Sequence, residues 1–220
     1  TRTLLERLKD VAVDTNLQLS TDLNIPSSTA ITCVKPSGTV SQLVDSASGI
    51  HPRHSKYYVR RVRGDKKDPL TSFMIEQGIP SEDCVMRPDS TAVFSFPKKA
   101  PHNALLREDL TATQHLDLWM MYQKHWCEHK PSVTISVEED EWVEVGAWCW
   151  KNFDDISGVS FLPYDGGTYR QAPYEECSEE EYLELLHKMP DTIEWDSLIE
   201  VDDNVEGAQQ LACTAGVCEI

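Results

Sequence analysis

"ITCVKPSGTVSQL" (31–43) joins a short run of β-branched and apolar residues to a turn that contains Pro, Ser and Gly. The run at 30–34 predicts a buried strand. Pro36 and Gly38 end that strand, and residues 39–44 can open a helix. A strand that passes through a tight turn into a helix is the unit from which α/β folds are built, so this stretch predicts the fold class.

The same alternation continues along the rest of the chain. Short β-branched and aromatic runs predict further strands at 56–62, 91–97, 132–137 and 157–163. Helical periodicity and capping signals predict helices at 2–13, 68–78, 111–129, 138–152 and 178–188, with 111–129 the longest. Strands that alternate with helices indicate an α/β fold with a mostly parallel, buried sheet, either open or closed into a barrel.

The turn in the opening stretch offers backbone donors that suit an anion. If a helix begins there, five successive N–H groups point outward with the positive end of the helix dipole, those of Ser37, Gly38, Thr39, Val40 and Ser41. This geometry binds phosphate, although the stretch is not a Walker A loop, which requires G-x-x-x-x-G-K-[ST]. The alternative is an ordinary strand-to-helix turn with a Ser or Thr cap, and the spacing leaves both open.

Charge is distributed unevenly along the chain. The net charge of −17 argues against a nucleic-acid backbone as the main partner. Residues 175–206 contain thirteen acids and one Lys, whereas the basic strip (51–67) contains seven Lys or Arg and one acid. Two interpretations of the basic strip remain open. It is either a solvated face with His51 and His54 in loops, or a positive lining for an anionic ligand near the turn.

A second cluster of polar residues, "HWCEH" (125–129), places His125 and His129 four residues apart on a predicted helix. Zinc peptidases require H-E-x-x-H, and Trp126 occupies the Glu position here, so a metal site is the less favoured interpretation. The large residues of the predicted helices are expected in the core rather than in a stacking platform: Trp119, Met120, Trp148 and Trp150.

The chain ends in "LACTAGVCEI" (211–220) and contains seven Cys in all. It has no secretory signal and no apolar run long enough for a membrane span, which predicts reduced thiols in the cytoplasm. The missing initiator Met suggests an excerpt of a longer chain or a processed product. Cys213 and Cys218 are open to three interpretations: spare thiols, half of a zinc site, or a pair that exchanges disulfides with partners.

"KPSGTVSQLVDSASGIHPRHSKYYVRRVR" (35–63) closely resembles the C-terminal part of adenosylcobalamin-dependent (class II) ribonucleotide reductases, in their monomeric, triphosphate-reducing branch. The motifs "PSGTVSQ" and "SGIHPR" carry the resemblance, which resumes at the terminal C-x₄-C. It implies that 1–172 form the C-terminal part of a ten-stranded α/β barrel. Residues 173–206 would be an acidic extension and 207–220 a flexible redox-active tail.

The resemblance also implies an activity, the reduction of ribonucleoside triphosphates to 2′-deoxyribonucleoside triphosphates with adenosylcobalamin as cofactor. In this family a cysteinyl radical removes the ribose 3′-hydrogen, the 2′-hydroxyl leaves as water, and two active-site thiols become a disulfide. By resemblance, Cys213 and Cys218 reduce that disulfide and are themselves reduced by thioredoxin or a similar dithiol. The substrate phosphates would be held by the five residues of the turn, Ser37, Gly38, Thr39, Val40 and Ser41.

Two departures from the family pattern qualify this expectation. The family's radical cysteine lies in an Asn-Pro-Cys-Gly-Glu-like stretch that this chain lacks, so catalysis needs the upstream part of the same reductase and the chain alone is expected to be inactive. Cys33 is expected to be a buried strand thiol. "SGVSFL" (157–162) lacks the adjacent tyrosines of reductases that import a radical, which fits cobalamin. The alternative is a non-catalytic phosphate-ligand binding module with a redox-sensitive tail.

Overall fold

The structure, a computed structural model, describes residues 1–38, 40–164 and 170–199, together with the backbone of 213–214 and 217–218. The helices of these parts are α1 (Arg2–Asp22), α2 (Val40–Leu43), α3 (Pro69–Glu76), α4 (Ala112–His125), α5 (Trp142–Lys151) and α6 (Glu179–Lys188). The strands are β1 (Tyr57–Asp65), β2 (Ser81–Asp83), β3 (Thr91–Lys99), β4 (Ser132–Val137), β5 (Gly158–Pro163), β6 (Tyr174–Glu176), β7 (Cys213–Thr214) and β8 (Val217–Cys218). No helix in these ranges has both the length and the apolar character that crossing a bilayer requires.

The first of two compact units consists of 1–53 and 105–164. Its strands β4 and β5 form a parallel pair, and α5 makes the crossover between them, as a parallel connection requires. Apolar residues next to the turn and on α4, β4 and α5 form the core, each at most 4% exposed: Ile50, Leu116, Trp119, Ile135 and Val145. Burial of these large side chains is the main source of stability for the segments that carry the turn.

The second unit consists of 54–104 and the described residues from 170 onward. It contains a four-stranded sheet in the order β2-β3-β1-β6, in which every neighbouring pair is antiparallel. Ile79, Ala92 and Phe94 form a small core there. Helix α3 begins as predicted, because the Asp68 side chain accepts from the Leu70 N–H and Pro69 occupies the first helical position.

The prediction of a buried strand at 30–34 is wrong. This segment bonds to the loop after α4, since the Thr32 carbonyl accepts from the Glu128 and His129 N–H groups at 2.9 and 3.1 Å. The Glu128 carboxylate in turn accepts from the N–H groups of Ile31 and Thr32, which hold its pKa below the usual value. Only Ser132 of β4 bonds back to the segment, at Val34, so no ladder forms.

The expected mostly parallel sheet is also wrong, because four of the described strands form the antiparallel sheet and, among the strands in these ranges, only β4 and β5 pair in parallel. No sheet closes within the described residues, so the structure supports a mixed α/β fold and not the barrel itself. The other predicted strands, at 56–62, 91–97, 132–137 and 157–163, are confirmed as β1, β3, β4 and β5. Helix α1 extends to Asp22 and is longer than α4, contrary to expectation.

Candidate functional site

The turn at 37–41 is fastened by the side chains of its first and last residues. Ser37 Oγ accepts from the Ser41 N–H at 3.0 Å, and the Ser41 hydroxyl donates to the Ser37 carbonyl at 2.8 Å. The pairing occupies the N–H of Ser41, which lies in the first turn of α2. Because α2 has only four residues, its dipole adds little, and any affinity for an anion rests on the N–H groups and hydroxyls themselves.

Ser48 bonds twice to the same residue of the turn. Its Oγ accepts from the Ser37 N–H at 2.8 Å and donates to the Ser37 carbonyl at 2.9 Å. The N–H groups of Ser37 and Ser41 are therefore used within the protein. Among the described residues, no hydrogen bond engages the N–H of Gly38 or Val40, and a Cβ added to Gly38 would meet nothing within 4 Å.

Thr39 lies outside the described residues. Of the five predicted phosphate donors, the turn therefore leaves open the backbone donors of Gly38 and Val40, next to a surface with room for a ligand. Two N–H groups without a partner among the described residues, on a backbone held by side-chain bonds, are the donors that an anion-binding nest requires.

Gly49 lies against the start of the turn. Its φ is +61°, and a Cβ at this position would lie 2.8 Å from the Lys35 carbonyl oxygen. Only glycine tolerates both the left-handed backbone and so close an approach. The motifs "PSGTVSQ" and "SGIHPR", 11 residues apart at Ser37 and Ser48, thus form one packed feature.

His51 connects Ser48 to strand β4. Its Nδ1 lies 2.7 Å from the Ser48 carbonyl oxygen, and its Nε2 accepts from the Thr134 N–H at 2.9 Å. A carbonyl only accepts and an N–H only donates, so Nδ1 carries the proton and the ring is neutral. Burial lowers the pKa of His51, which favours the same neutral form.

His115 of α4 meets the His51 ring edge-on, with the ring centroids 5.9 Å apart. Its Nε2 lies 2.9 Å from the Ile50 carbonyl oxygen, and burial lowers the pKa of His115 to about 4. At neutral pH, the neutral His51 ring of the "SGIHPR" motif therefore packs against the neutral ring of His115. They were expected neither as a pair nor as buried groups.

The basic strip does not form a solvated face. Arg53 is buried, with its guanidinium 2.7 Å from Asp45 Oδ1 and 3.0 Å from the Ser46 carbonyl. In the second unit, the Arg60 guanidinium stacks 4.4 Å over the Tyr174 ring. Further pairs in that unit are Arg61 with Glu175 and Lys66 with Asp83. These four cations are engaged by neighbours, which weakens the alternative of an open lining for an anionic ligand.

A separate pocket of about 610 Å³ lies where β4 and β5 end, and its walls include Glu138, Glu139, Asp140 and Tyr164. The carboxyl ends of parallel strands are the usual place for ligands in α/β proteins. Three carboxylates repel a phosphate, however, so the turn at 37–41 remains the better place for one.

The histidines of "HWCEH" do not form a metal site. Helix α4 ends at His125, so His129 does not share its face, and His125 Nδ1 lies 2.9 Å from Glu6 Oε1. No group of three His, Cys, Asp or Glu among the described residues could hold a metal ion. Trp119 is buried as expected, and Met120 and Trp148 pack against the core, but Trp150 is 86% exposed and its expected burial is wrong.

The cysteines fall into two groups. Cys33 is half-buried and not in a strand, and burial raises the pKa of the neighbouring Cys127 to about 11, so Cys127 stays a thiol. In the tail, β7 and β8 are antiparallel, and their register sets Cys213 opposite Cys218. The side chains of these two residues lie outside the described part of the chain.

Sequence reasoning did not identify Ser48, Gly49 and His51 as the residues that support the turn at 37–41. Their bonds to Ser37 and Thr134 span 11 and 83 residues, which no local pattern reports. A glycine between Ser and an Ile-His pair was the available signal, because it marks a close backbone approach.

Comparison with known proteins places these features in a family context. No family model matches the chain. An adenosylcobalamin-dependent ribonucleoside-triphosphate reductase of Euglena gracilis is 32% identical over 219 residues, which is 99% of this chain and 30% of that protein. The enzyme of the same name from Lactobacillus gasseri is 28% identical over 98% of this chain and 30% of that protein.

A solved structure agrees with these relatives. The crystal structure of a B-12 dependent (class II) ribonucleotide reductase matches 88% of this chain and 28% of its own, with a TM-score of 0.75 and 26% identity. The chain thus spans about 30% of the length of the relatives it matches. Over nearly its whole length, this chain is a homologue of a segment of the adenosylcobalamin-dependent ribonucleoside-triphosphate reductases.

Proposed function

We propose that this chain is the C-terminal segment of a reductase that converts ribonucleoside triphosphates to 2′-deoxyribonucleoside triphosphates. The observation that carries the proposal is the 32% identity across 99% of the chain to a reductase of that name. In the complete enzyme, 1–172 would complete a ten-stranded α/β barrel with the upstream part of the same reductase. The fold match at a TM-score of 0.75 supports this arrangement.

The turn at 37–41 holds the substrate phosphates in this proposal. The N–H groups of Gly38 and Val40, with that of Thr39 between them, donate to phosphate oxygens. The hydroxyls of Ser37 and Ser41 keep the backbone in place through their mutual bonds. Because the mutual bonds of Ser37 and Ser41 hold the two ends of the turn before the substrate arrives, binding costs less conformational entropy.

The tail supplies reducing equivalents. Residues opposite each other in an antiparallel pair have Cα atoms about 4.5–5.5 Å apart, within the range of about 4.4–6.8 Å that a disulfide bridges. The register of Cys213 with Cys218 supports such a pair. One tail thiolate attacks the active-site disulfide, and the second resolves the mixed disulfide. The tail loses two electrons and two protons, the active site gains them, and thioredoxin or a similar dithiol restores the tail.

Adenosylcobalamin is the cofactor of the proposed enzyme, and it would supply the radical that starts the reaction. Among the described residues, no group of three His, Cys, Asp or Glu is placed to hold a metal ion. The radical cysteine belongs to the upstream part, which leaves this chain inactive alone. In this proposal, residues 173–206 connect the barrel segment to the tail at 207–220. The enzyme acts on nucleotides in the cytoplasm and needs neither a membrane nor a nucleic acid as partner.

The shuttle is tested in the complete reductase by Cys213→Ser and Cys218→Ser. We expect each variant to lose turnover driven by thioredoxin and to keep turnover driven by a small dithiol that enters the active site directly. Cys149→Ser, which alters a thiol of α5, is the matched control and should retain both. Undiminished thioredoxin-driven turnover in the tail variants would rule out the shuttle.

A further inference from the structure

We propose that His51 is a positioning residue for the phosphate turn, joining the turn to strand β4 through Ser48. The inference rests on the proposed phosphate-binding role of 37–41. The His51 side chain bonds Ser48 and Thr134, and among the described residues no hydrogen bond joins it directly to the turn. It would act on substrate through the backbone that it holds.

Four hydrogen bonds form an unbroken path from the sheet to the turn. The Thr134 N–H donates to His51 Nε2 at 2.9 Å, and His51 Nδ1 donates to the Ser48 carbonyl at 2.7 Å. The Ser48 hydroxyl then bonds the Ser37 N–H and carbonyl at 2.8 and 2.9 Å. Thr134 is in the middle of β4, between Val133 and Ile135, so the path begins next to two residues of the buried core.

The path requires a side chain with a donor and an acceptor at a fixed separation. A neutral imidazole supplies both, and its burial against His115 fixes the orientation of the ring. The turn is otherwise held to the unit by short-range bonds, such as that between the Ser46 N–H and the Ser41 carbonyl at 2.9 Å. The link through His51 joins Ser37 itself to β4, whereas the bond from the Ser132 N–H to the Val34 carbonyl reaches the chain three residues before Ser37.

Two amide variants separate the halves of the link. The Asn side-chain nitrogen takes the place of Nδ1, so His51→Asn keeps the donor to the Ser48 carbonyl and loses the acceptor for Thr134. The Gln side chain reaches the place of Nε2, so His51→Gln keeps the acceptor and loses the donor. Because the path from β4 to Ser48 needs both bonds, either variant should loosen the hold of the sheet on the turn.

In the complete reductase, we expect His51→Gln to raise the KM for a ribonucleoside triphosphate about tenfold with kcat unchanged, as loss of one positioning bond predicts. His51→Asn, which breaks the same path at Thr134, should raise the KM to a similar extent. Ser48→Ala should resemble His51→Gln, and the double variant should be no worse than either single one. His125→Gln, which loses the Nδ1 donor to Glu6 in the same unit, is the control and should leave KM unchanged.

A wild-type KM in either His51→Gln or His51→Asn, or a lower kcat at unchanged KM, would overturn the positioning role. If His51→Gln fails to fold, Ser48→Ala decides, and a wild-type KM in that variant also overturns the role. A wild-type enzyme that reduces no ribonucleoside triphosphate contradicts the proposed function instead. If the wild type reduces ribonucleoside triphosphates and His51→Gln has the wild-type KM, only the inference about His51 is contradicted.

Discussion

Residues 51–53 and 54–67 are neighbours in the basic strip and belong to different compact units. In the first part, His51 and Arg53 are turned inward and hold backbone groups close to the turn. In the second part, the basic residues of β1 pair with acids, carbonyls and an aromatic ring of β6 and its flank. One run of like charge therefore contains a support for a candidate site and a set of sheet-stabilising pairs.

The comparison shows that burial and local partners, and not composition, determine what a run of charged residues does in the fold. Cations beside fixed partners are compensated and attract an external anion less. The candidate phosphate site instead uses uncharged backbone donors at 37–41. We expect substitutions in the first part to alter substrate binding and substitutions in the second to alter only stability.

The largest effect is expected for Gly49→Ala. The variant forces a Cβ to within 2.8 Å of the Lys35 carbonyl at a φ of +61°, and should cost about 4 kcal/mol of local stability. Hydrogen exchange of the 37–53 amides in the complete protein measures the loss. The KM for substrate should rise together with it.

Gly78→Ala is the matched control in the second unit. Gly78 has a φ of +80° but no atom within 4 Å of a Cβ, so only the backbone cost of about 1 kcal/mol applies. Substrate KM should not change. Equal losses of stability in both variants would show that the packing of Gly49 against Lys35 is unimportant.

The next largest effect is expected from acid, which should lower the stability of the first unit. The folded-state pKa of His115 is about 4 and its ordinary value is 6.5, so unfolding takes up a proton at acidic pH. The stability from the neutral ring is complete above pH 6.5 and is lost as pH falls toward 4, by about 3 kcal/mol. Protection factors of the β4 amides at pH 7 and pH 4 measure the change. His115→Gln should lessen it, and an unaltered pH dependence in that variant would contradict the assignment.

The smallest effect is expected for Arg61→Met in the second part. The side chain of Arg61 is 15% exposed and that of its partner Glu175 is 45% exposed. Solvent screens the pair, so its removal should cost less than about 1 kcal/mol, seen as faster exchange in β1 and β6. Substrate KM should stay at the wild-type value. A rise comparable to that of His51→Gln would contradict the claim that only the first part of the basic strip affects substrate binding.

Local signals predicted much of the fold. Asp68 and Pro69 start α3 and Thr111 caps α4 as the sequence indicates, because caps act within one turn of a helix. The segment 30–34 looked like a strand because its residues favour one, and bonds to the loop at 128–129 override that preference.

The turn at 37–41 was predicted as a site, yet its support was not. The register of the antiparallel sheet and the place of His51 depend on partners far along the chain, which composition and spacing do not report. Trp150 was expected in the core because its type favours burial, whereas the fold leaves that side of α5 exposed.

The most direct test is to supply the complete protein that contains this chain with a ribonucleoside triphosphate, adenosylcobalamin and a dithiol, and to measure the deoxyribonucleotide formed. We predict a 2′-deoxyribonucleoside triphosphate, formed only when adenosylcobalamin is present, and little product from the matching diphosphate. No deoxyribonucleotide with the cofactor present, while tripolyphosphate still binds at the turn, would contradict the account and favour a non-catalytic phosphate-binding module.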